Sequence, residues 1–239
     1  MNHDDDLIDT TEMYLRTVLE LEEEGIVPLR ARIAGQLRHS VPTVSQTIAR
    51  MQRDGLVTVT GHRRVLLTSR GRTEAVRVMR KHRLAECLLA DILGMDWQLV
   101  HDEACRWEHV MSDAVERRVL EILSYPTHSP YGNPIPGLAE LGAGQGDAFP
   151  PGLVTLADVA ETAGSVIIRR IGEPLQSDTA LLTRLRRAGF RPGASVPVSR
   201  ADGHVRIGPD HDGVDLDDVA ASHIFVTTAG QARELPQAS

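Results

Sequence analysis

Between Leu29 and Thr68 the apolar residues change period, from helical spacing to strand alternation, and this switch is the tightest constraint the sequence places on its fold. A short helix is predicted from Leu29 to Leu37, then a break at His39-Ser40-Val41. A second helix is opened by Pro42, a residue suited to a first helical position. In that helix Val44, Ile48 and Met51 fall on a core-facing stripe, whereas Thr43, Gln46, Arg50 and Arg53 share the opposite face. After Gly55, the runs Leu56–Thr60 and Val65–Thr68 flank Gly61-His62-Arg63-Arg64, a hairpin with a basic tip. Helix, turn, helix and hairpin together spell a winged helix-turn-helix, which lays its second helix in the major groove of DNA. A further helix precedes it, with Asp9-Thr10-Thr11-Glu12 as a capping box and Gly25 as its stop. Tyr14, Leu15, Val18, Leu19 and Leu21 form its apolar stripe.

Charge sets the same region apart. Residues 27–83 hold 13 Lys plus Arg against only Asp54 and Glu74, or +11, which leaves −18 on the rest of the chain. The overall net charge of −7 therefore conceals a stretch fitted to a polyanion. At 239 residues the chain has room for one or two domains by length alone. No apolar run approaches the roughly 18 residues that span a bilayer, and the acidic N-terminus leads into no secretory stretch. Two cysteines, Cys87 and Cys105, cannot make a disulfide framework, so a cytoplasmic protein is predicted, with Cys87 read as packing.

A long helix is predicted from Ser69 to Leu93, closed by Gly94, and another from Asp96 to Val110. A third starts at Ser112, with Val115, Val119 and Ile122 on one face. The row Ala75, Met79, His82, Glu86, Leu89 puts His82 and Glu86 where the period asks for apolar groups, and burying them unpaired would be costly. His101, Cys105, Glu108 and His109 lie within one arc of the next helix. A lone His or Cys on a helix usually means only packing or a local hydrogen bond. Six in register offer converging lone pairs that a cation would satisfy together. An alternative is a metallohydrolase, since Cys105-Arg106-Trp107-Glu108-His109 is similar to the H-x-x-E-H motif, with Glu108 as general base. Cys in the first ligand position and the basic winged helix upstream argue against an enzyme.

Tyr125 to Pro151 is rich in Pro and Gly and predicts an extended or turn-rich linker, not a core element. Beyond it, the runs Val166–Ile168, Ser195–Val198, His204–Ile207 and His223–Val226 are separated by Asp202-Gly203 and Asp212-Gly213 turns, which suggests a small β-barrel. A helix near Asp178 to Ala188 interrupts them, and residues 230–239 carry no pattern and are predicted to be a disordered tail.

The segments Asp9–Arg16, Pro42–Thr47, Met79–Glu86, His101–Met111 and Ser129–Gly137 resemble the iron-dependent regulators of the diphtheria toxin repressor family, over residues 7 to about 228. The resemblance implies a mainly α fold with a small β part: a winged helix over 1–75, a helical dimerisation and metal-binding domain over 76–140, a linker over 141–150 and an SH3-like barrel over 151–229. It implies a ferrous-iron-activated homodimer that represses iron uptake and homeostasis genes from palindromic operators, with no small-molecule substrate. Its activating metal site would use Met13, Cys105, Glu108 and His109. An ancillary site would use His82, Glu86, His101, Glu173 and Gln176, making two Fe(II) per chain. Met13, Glu173 and Gln176 rest on the resemblance alone. An anion-binding position would map to Arg83, Ser129 and Asn133. DNA contacts would come from Thr10, Arg30, Ser40, Pro42, Thr43, Ser45, Gln46, Arg50 and Arg63, with Gln46 reading a base edge. The sequence departs from the family's usual Ser-Gly-Pro in having Ser40-Val41-Pro42, which bears on the contacts of Ser40 and Pro42. A manganese-responsive branch carries harder ligands and commonly lacks the third domain. The soft donors Met13 and Cys105 point instead to iron, with Co(II), Ni(II), Zn(II) or Mn(II) as surrogates.

Overall fold

The computed structural model describes residues 3–144, 152–209 and 212–228. Its N-terminal unit comprises α1 (His3–Glu23), α2 (Arg30–Leu37), α3 (Val41–Arg53) and the hairpin of β1 (Val57–Val59) and β2 (Val65–Leu67), closed by the first half of α4 (Ser69–Cys87). Tyr14, Leu15 and Val18 of α1 pack with Ile33, Val44, Ile48, Met51, Val65 and Met79 into one core, the stripe that the periodicity predicts. Two boundaries differ from expectation. Asp9-Thr10-Thr11-Glu12 lies inside α1 and does not cap it, because the helix runs on from His3 and the donors a cap would serve are already bonded within it. α3 opens at Val41, one residue before Pro42, with Ser40 as its cap: Ser40 Oγ accepts from Thr43 N–H at 3.3 Å. The hairpin is locked to α4 at Gly71, where a Cβ would meet the Leu56 carbonyl oxygen at 1.9 Å.

α4 continues into a π-helical turn, Leu88–Ile92, which Gly94 closes at φ 65. Then come α5 (Trp97–Trp107) and α6 (Asp113–Ile122), the latter capped by Ser112 as predicted. The Pro- and Gly-rich stretch from Tyr125 is not a linker as far as it is described. Tyr131, Asn133, Ile135 and Leu138 are buried, and the Tyr131 hydroxyl donates to the Trp97 carbonyl at 2.7 Å. Turn residues set the direction of the backbone, not its exposure. Gly132, at φ 82, passes so near the next domain that a Cβ would sit 2.0 Å from the Arg169 carbonyl oxygen. The rest of the predicted linker, 145–151, and the predicted tail, 230–239, lie outside the described residues.

The C-terminal unit is an antiparallel sheet of six described strands: β3 (Val154–Thr155), β4 (Ser165–Ile171), β5 (Ser195–Ala201), β6 (His204–Ile207), β7 (Val214–Leu216) and β8 (Ile224–Thr228). They are ordered β3-β8-β4-β5-β6-β7. The four predicted runs are β4, β5, β6 and β8; β3 and β7 are too short to show a period. Asp202 and Gly203, both at positive φ, make the tight turn between β5 and β6. The helices α7 (Leu156–Val159), α8 (Glu173–Gln176), α9 (Thr179–Arg187) and α10 (Asp218–Ser222) complete the unit. Its core is continuous with the middle of the chain: Leu89, Val100, Ala104 and Tyr131 join the cluster of Ile168, Ile171, Leu182 and Val226. That shared core brings α8 against α5. Among the described residues no helix is long and apolar enough to cross a membrane.

Candidate metal centre

α4 and α5 present His82, Glu86 and His101 to each other in the interior, where His82 and Glu86 are fully buried. His82 Nε2 lies 2.9 Å from Glu86 Oε1, and His101 Nδ1 lies 3.4 Å from the same oxygen. α8 adds Glu173, whose Oε2 is 4.0 Å from His101 Nδ1. Donor atoms of His82, Glu86, His101 and Glu173 all fall within 4.8 Å of one another. Gln176, a turn later on α8, donates from Nε2 to the Ile171 carbonyl at 2.7 Å. Three buried acceptors here have no donor: Glu86 Oε2, Glu173 Oε2 and Gln176 Oε1. An orphaned buried carboxylate oxygen is expensive, and a cation held by the two imidazoles, Glu86 and Glu173 would satisfy both carboxylates, so this donor set fits a divalent transition metal.

The second set is arranged differently. Cys105 Sγ faces His101 Nε2 at 3.6 Å and belongs to a His82, His101, Cys105 group within 4.8 Å. Into it reaches Arg16 of α1: its Nη1 is 3.4 Å from Cys105 Sγ, 2.5 Å from Glu108 Oε2 and 3.0 Å from His82 Nδ1. Glu108 Oε2 also lies 2.6 Å from His82 Nδ1. His109 is turned to α1, with Nδ1 2.6 Å from Glu12 Oε2 and Nε2 3.2 Å from Glu108 Oε1. Met13 is half-buried at the edge of the N-terminal core. Cys105 lies on α5, but Glu108 and His109 fall in the turn after it, since the helix predicted to run to Val110 ends at Trp107; all three face α1, with Arg16 and Glu12 between them. The donor set is thiolate, carboxylate and imidazole, chemistry that suits a borderline-soft cation.

Electrostatics follows from this placement. Burial penalises the Cys105 thiolate, but Arg16 and His101 outweigh it and hold the thiol well below its ordinary range. Glu108 is likewise lowered, burial being overcome by Arg16 and His82. Glu86 is depressed because His82 and His101 overcome its desolvation, and in return His82 is raised well above the usual imidazole value. His101 is pushed up to about 10, the Cys105 thiolate and Glu86 outweighing its burial. As arranged, the cluster is a set of ion pairs.

Arg16 and Glu20 carry no mark in the sequence, and Glu12 enters there only through a capping box; Arg16 lies beside the stripe of Tyr14, Leu15, Val18, Leu19 and Leu21, not in it. Arg16 Nε pairs with Glu20 Oε1 at 2.9 Å, and Glu20 Oε2 accepts from Gln36 Nε2 of α2 at 2.5 Å. Arg83, fully buried, gives Nη2 to Glu23 Oε2 at 2.5 Å and to Glu173 Oε1 at 2.8 Å. Nearby, Ser129 Oγ accepts from Tyr131 N–H, and Asn133 Nδ2 donates to the Ile171 carbonyl. Arg83 is therefore engaged with carboxylates in this arrangement and presents no open fork to an outside anion.

Of the predicted DNA-contacting residues, Ser40, Pro42, Thr43, Gln46 and Arg63 are exposed, and Thr10, Arg30, Ser45 and Arg50 are half-buried. Arg50 donates to Thr11 Oγ1 of α1 at 3.4 Å. Arg63 takes the left-handed position, φ 61, at the wing tip.

Three family descriptions match in succession. Residues 6–65 match the iron-dependent repressor N-terminal DNA-binding domain, 68–137 its metal-binding and dimerisation domain, and 153–228 the diphtheria toxin repressor SH3 domain. The chain is 55% identical over 218 residues to the diphtheria toxin repressor of Corynebacterium diphtheriae, covering 90% of this chain and 96% of that one. It is 54% identical over 215 residues to the iron-dependent repressor IdeR of Mycobacterium tuberculosis, covering 88% and 94%. Among solved structures it resembles a manganese-dependent transcriptional repressor in complex with manganese, with a TM-score of 0.74, 28% identity and coverage of 91% and 99%. It also resembles IdeR of T. acidophilum, with a TM-score of 0.70, 27% identity and coverage of 91% and 97%.

Proposed function

This chain belongs to the iron-dependent repressor family and is an iron-responsive DNA-binding repressor, not an enzyme; from that premise we propose that ferrous iron, at two sites in each chain of a homodimer, licenses it to bind palindromic operators of iron uptake and homeostasis genes. The observation that carries this reading is the junction of α1 with α5. Cys105 and Glu108 meet Arg16 on a helix that is also packed into the winged-helix core through Tyr14, Leu15 and Val18. Met13, Cys105, Glu108 and His109 would hold the activating ion, and His82, Glu86, His101, Glu173 and Gln176 the ancillary one. Bound by the Cys105 thiolate, the Glu108 carboxylate, the His109 imidazole and the Met13 thioether, a divalent cation would supply the positive charge that these donors, drawn from two domains, share. Cys105 and Glu108 then hold α1 from the α5 side, while Met13 commits α1 from its own. α1 in turn fixes α3 through their shared core, so the spacing of the two recognition helices in the dimer becomes single-valued, which a two-fold operator demands.

Within the proposed 1–75 reading head, Gln46 points from the exposed face of α3 to a base edge, while Arg30, Thr43, Ser45, Arg50 and Arg63, with Thr10, Ser40 and Pro42, position phosphates. Met13 and Cys105 are soft donors and favour iron over manganese, with Co(II), Ni(II), Zn(II) or Mn(II) as surrogates in vitro. An anion at Arg83, Ser129 and Asn133 would require Arg83 to leave Glu23 or Glu173. The test is an anaerobic operator-binding titration with Fe(II) and with Mn(II), chelator as control, repeated for Gln46→Ala. Fe(II) is expected to activate at the lower concentration, and Gln46→Ala to relax preference at one operator position by about 1–3 kcal/mol. Activation by Mn(II) alone would assign the protein to manganese, and full binding in chelator would overturn metal control.

A further inference from the structure

Arg16 occupies the place where a cation is wanted. Its guanidinium, on a residue only 8% exposed, approaches Cys105 Sγ at 3.4 Å, Glu108 Oε2 at 2.5 Å and His82 Nδ1 at 3.0 Å at once. These donors come from α4 and α5, whereas Arg16 comes from α1, three residues after Met13. Two cations cannot share so small and buried a donor set, because a guanidinium beside a divalent ion pays repulsion in a poorly screened interior. We propose that Arg16 is an internal counter-cation of the Cys105–Glu108 donors, that it must withdraw before they can take a metal, and that it thereby sets the metal concentration at which the repressor switches.

The arrangement provides a place for Arg16 to go. Its Nε already lies 2.9 Å from Glu20 Oε1, so the guanidinium can give up Cys105 and Glu108 and keep a carboxylate partner. Glu20 is also where α2 is attached, through Gln36 Nε2 at 2.5 Å, so the withdrawn charge lands on a group shared with the helix-turn-helix. His109 and Glu12 repeat the pattern at the outer end: a ligand-type imidazole is held by a carboxylate of α1 until that helix moves. With Arg16 inserted, Cys105 and Glu108 are satisfied by a protein charge and α1 is held in the metal-free position. With Arg16 withdrawn, they are free for an ion that Met13 would help to hold.

This inference rests on the metal-activation reading above, and the experiment separates the two. The intact dimer is titrated anaerobically with Co(II) against a competing chelator, following the thiolate-to-cobalt absorption that reports Cys105 ligation, for wild type, Arg16→Gln and Arg16→Lys. Arg16→Gln should bind Co(II) about tenfold more tightly, the exchange of one buried charge-assisted contact, and should melt at a lower temperature in chelator. Arg16→Lys keeps the cation and should stay near wild type. If Arg16→Gln binds Co(II) equally or more weakly while the absorption forms in all three proteins, Arg16 supports the metal instead of opposing it, and the proposal is wrong with the activation reading intact. If wild type gives no Cys105-dependent absorption, the activation reading itself fails, and the exchange with it. Should Arg16→Gln not fold, the wild-type protein decides. Side-chain NMR of arginine-labelled protein should show Arg16 protected from exchange in chelator and released on adding Zn(II), and persistent protection would overturn the proposal.

Discussion

The donors on the α8 side of the cluster and those on the α1 side meet at the same junction of α4 with α5, yet they differ in what already engages them. His82, Glu86, His101 and Glu173 converge, with unpaired oxygens turned inward. Cys105, Glu108 and His109 are engaged instead by Arg16 and Glu12. The difference lies in what each side is packed against. α8 belongs to a unit whose core is continuous with that of α5, so Glu173 is delivered by the fold itself. α1 belongs to the separate core of the winged helix, and it meets Cys105, Glu108 and His109 through the charged side chains of Arg16 and Glu12. A site inside one core is ready beforehand and can only stabilise, whereas a site between two cores can act as a switch.

The sharpest way to break this contrast is Cys105→Ala. It removes a ligand of the inter-core set and should raise the Fe(II) or Co(II) requirement for operator binding roughly a hundredfold or more, since even outer-shell losses cost 10–100-fold. Circular dichroism and dimer mass should be unchanged. If operator binding keeps its metal dependence, measured anaerobically by fluorescence anisotropy, the α1-facing set is not the switch.

A smaller effect is expected on the other side. Glu173→Ala combined with Gln176→Ala deprives the preassembled set of its α8 oxygens but leaves Arg83 paired with Glu23. In chelator the melting temperature should drop through the lost Arg83–Glu173 pair, 2.8 Å in the native protein. With metal it should drop by a further ~3–8 °C, the stabilisation lost when affinity falls ten- to a hundredfold. Calorimetry in both conditions checks the excess, and equal shifts would mean these side chains bind no metal.

What the sequence could and could not reveal follows the same division. The winged helix was legible because its signals are local: the Pro42 helix start, the Val44, Ile48, Met51 stripe and the basic wing tip all lie within a few turns of one another. The six donors on α4, on α5 and just beyond it were legible because a helical period leaves few reasons for His82 or Glu86 to face inward. Glu173 and Gln176 carry no such mark, being on a one-turn helix with no period to violate, and only family resemblance pointed to them. Arg16 stayed hidden because a long arginine on an amphipathic helix is ordinarily read as snorkelling to solvent, and nothing local says that its head is buried. Tyr125 to Gly144 was misread for a related reason: Gly132 and the prolines report a backbone that must bend, and Tyr131 and Ile135 report a core that only the third dimension supplies.

The mildest test uses protons. His101 is pushed up to about 10 by the Cys105 thiolate and Glu86 against its burial, whereas an unperturbed imidazole lies near 6.5. A ligating imidazole nitrogen must be unprotonated, so proton and metal compete for His101, and the raised value means that the proton wins ground as pH falls. Metal affinity on the α8 side should therefore rise with pH, by about tenfold per unit for each proton displaced, across the range from neutrality towards 10. Cys105 should contribute no such slope near neutrality, since Arg16 and His101 already keep it as thiolate. Zn(II) affinity by chelator competition at pH 7 and pH 8, with calorimetry in buffers of different ionisation enthalpy, measures the protons released. His101→Asn should lower the count by one, whereas Cys105→Ala should not lower it through loss of a thiol proton. A flat profile above pH 7 in the wild-type protein would mean that His101 is already neutral and that the preassembled set consists of ready ligands instead of ion pairs.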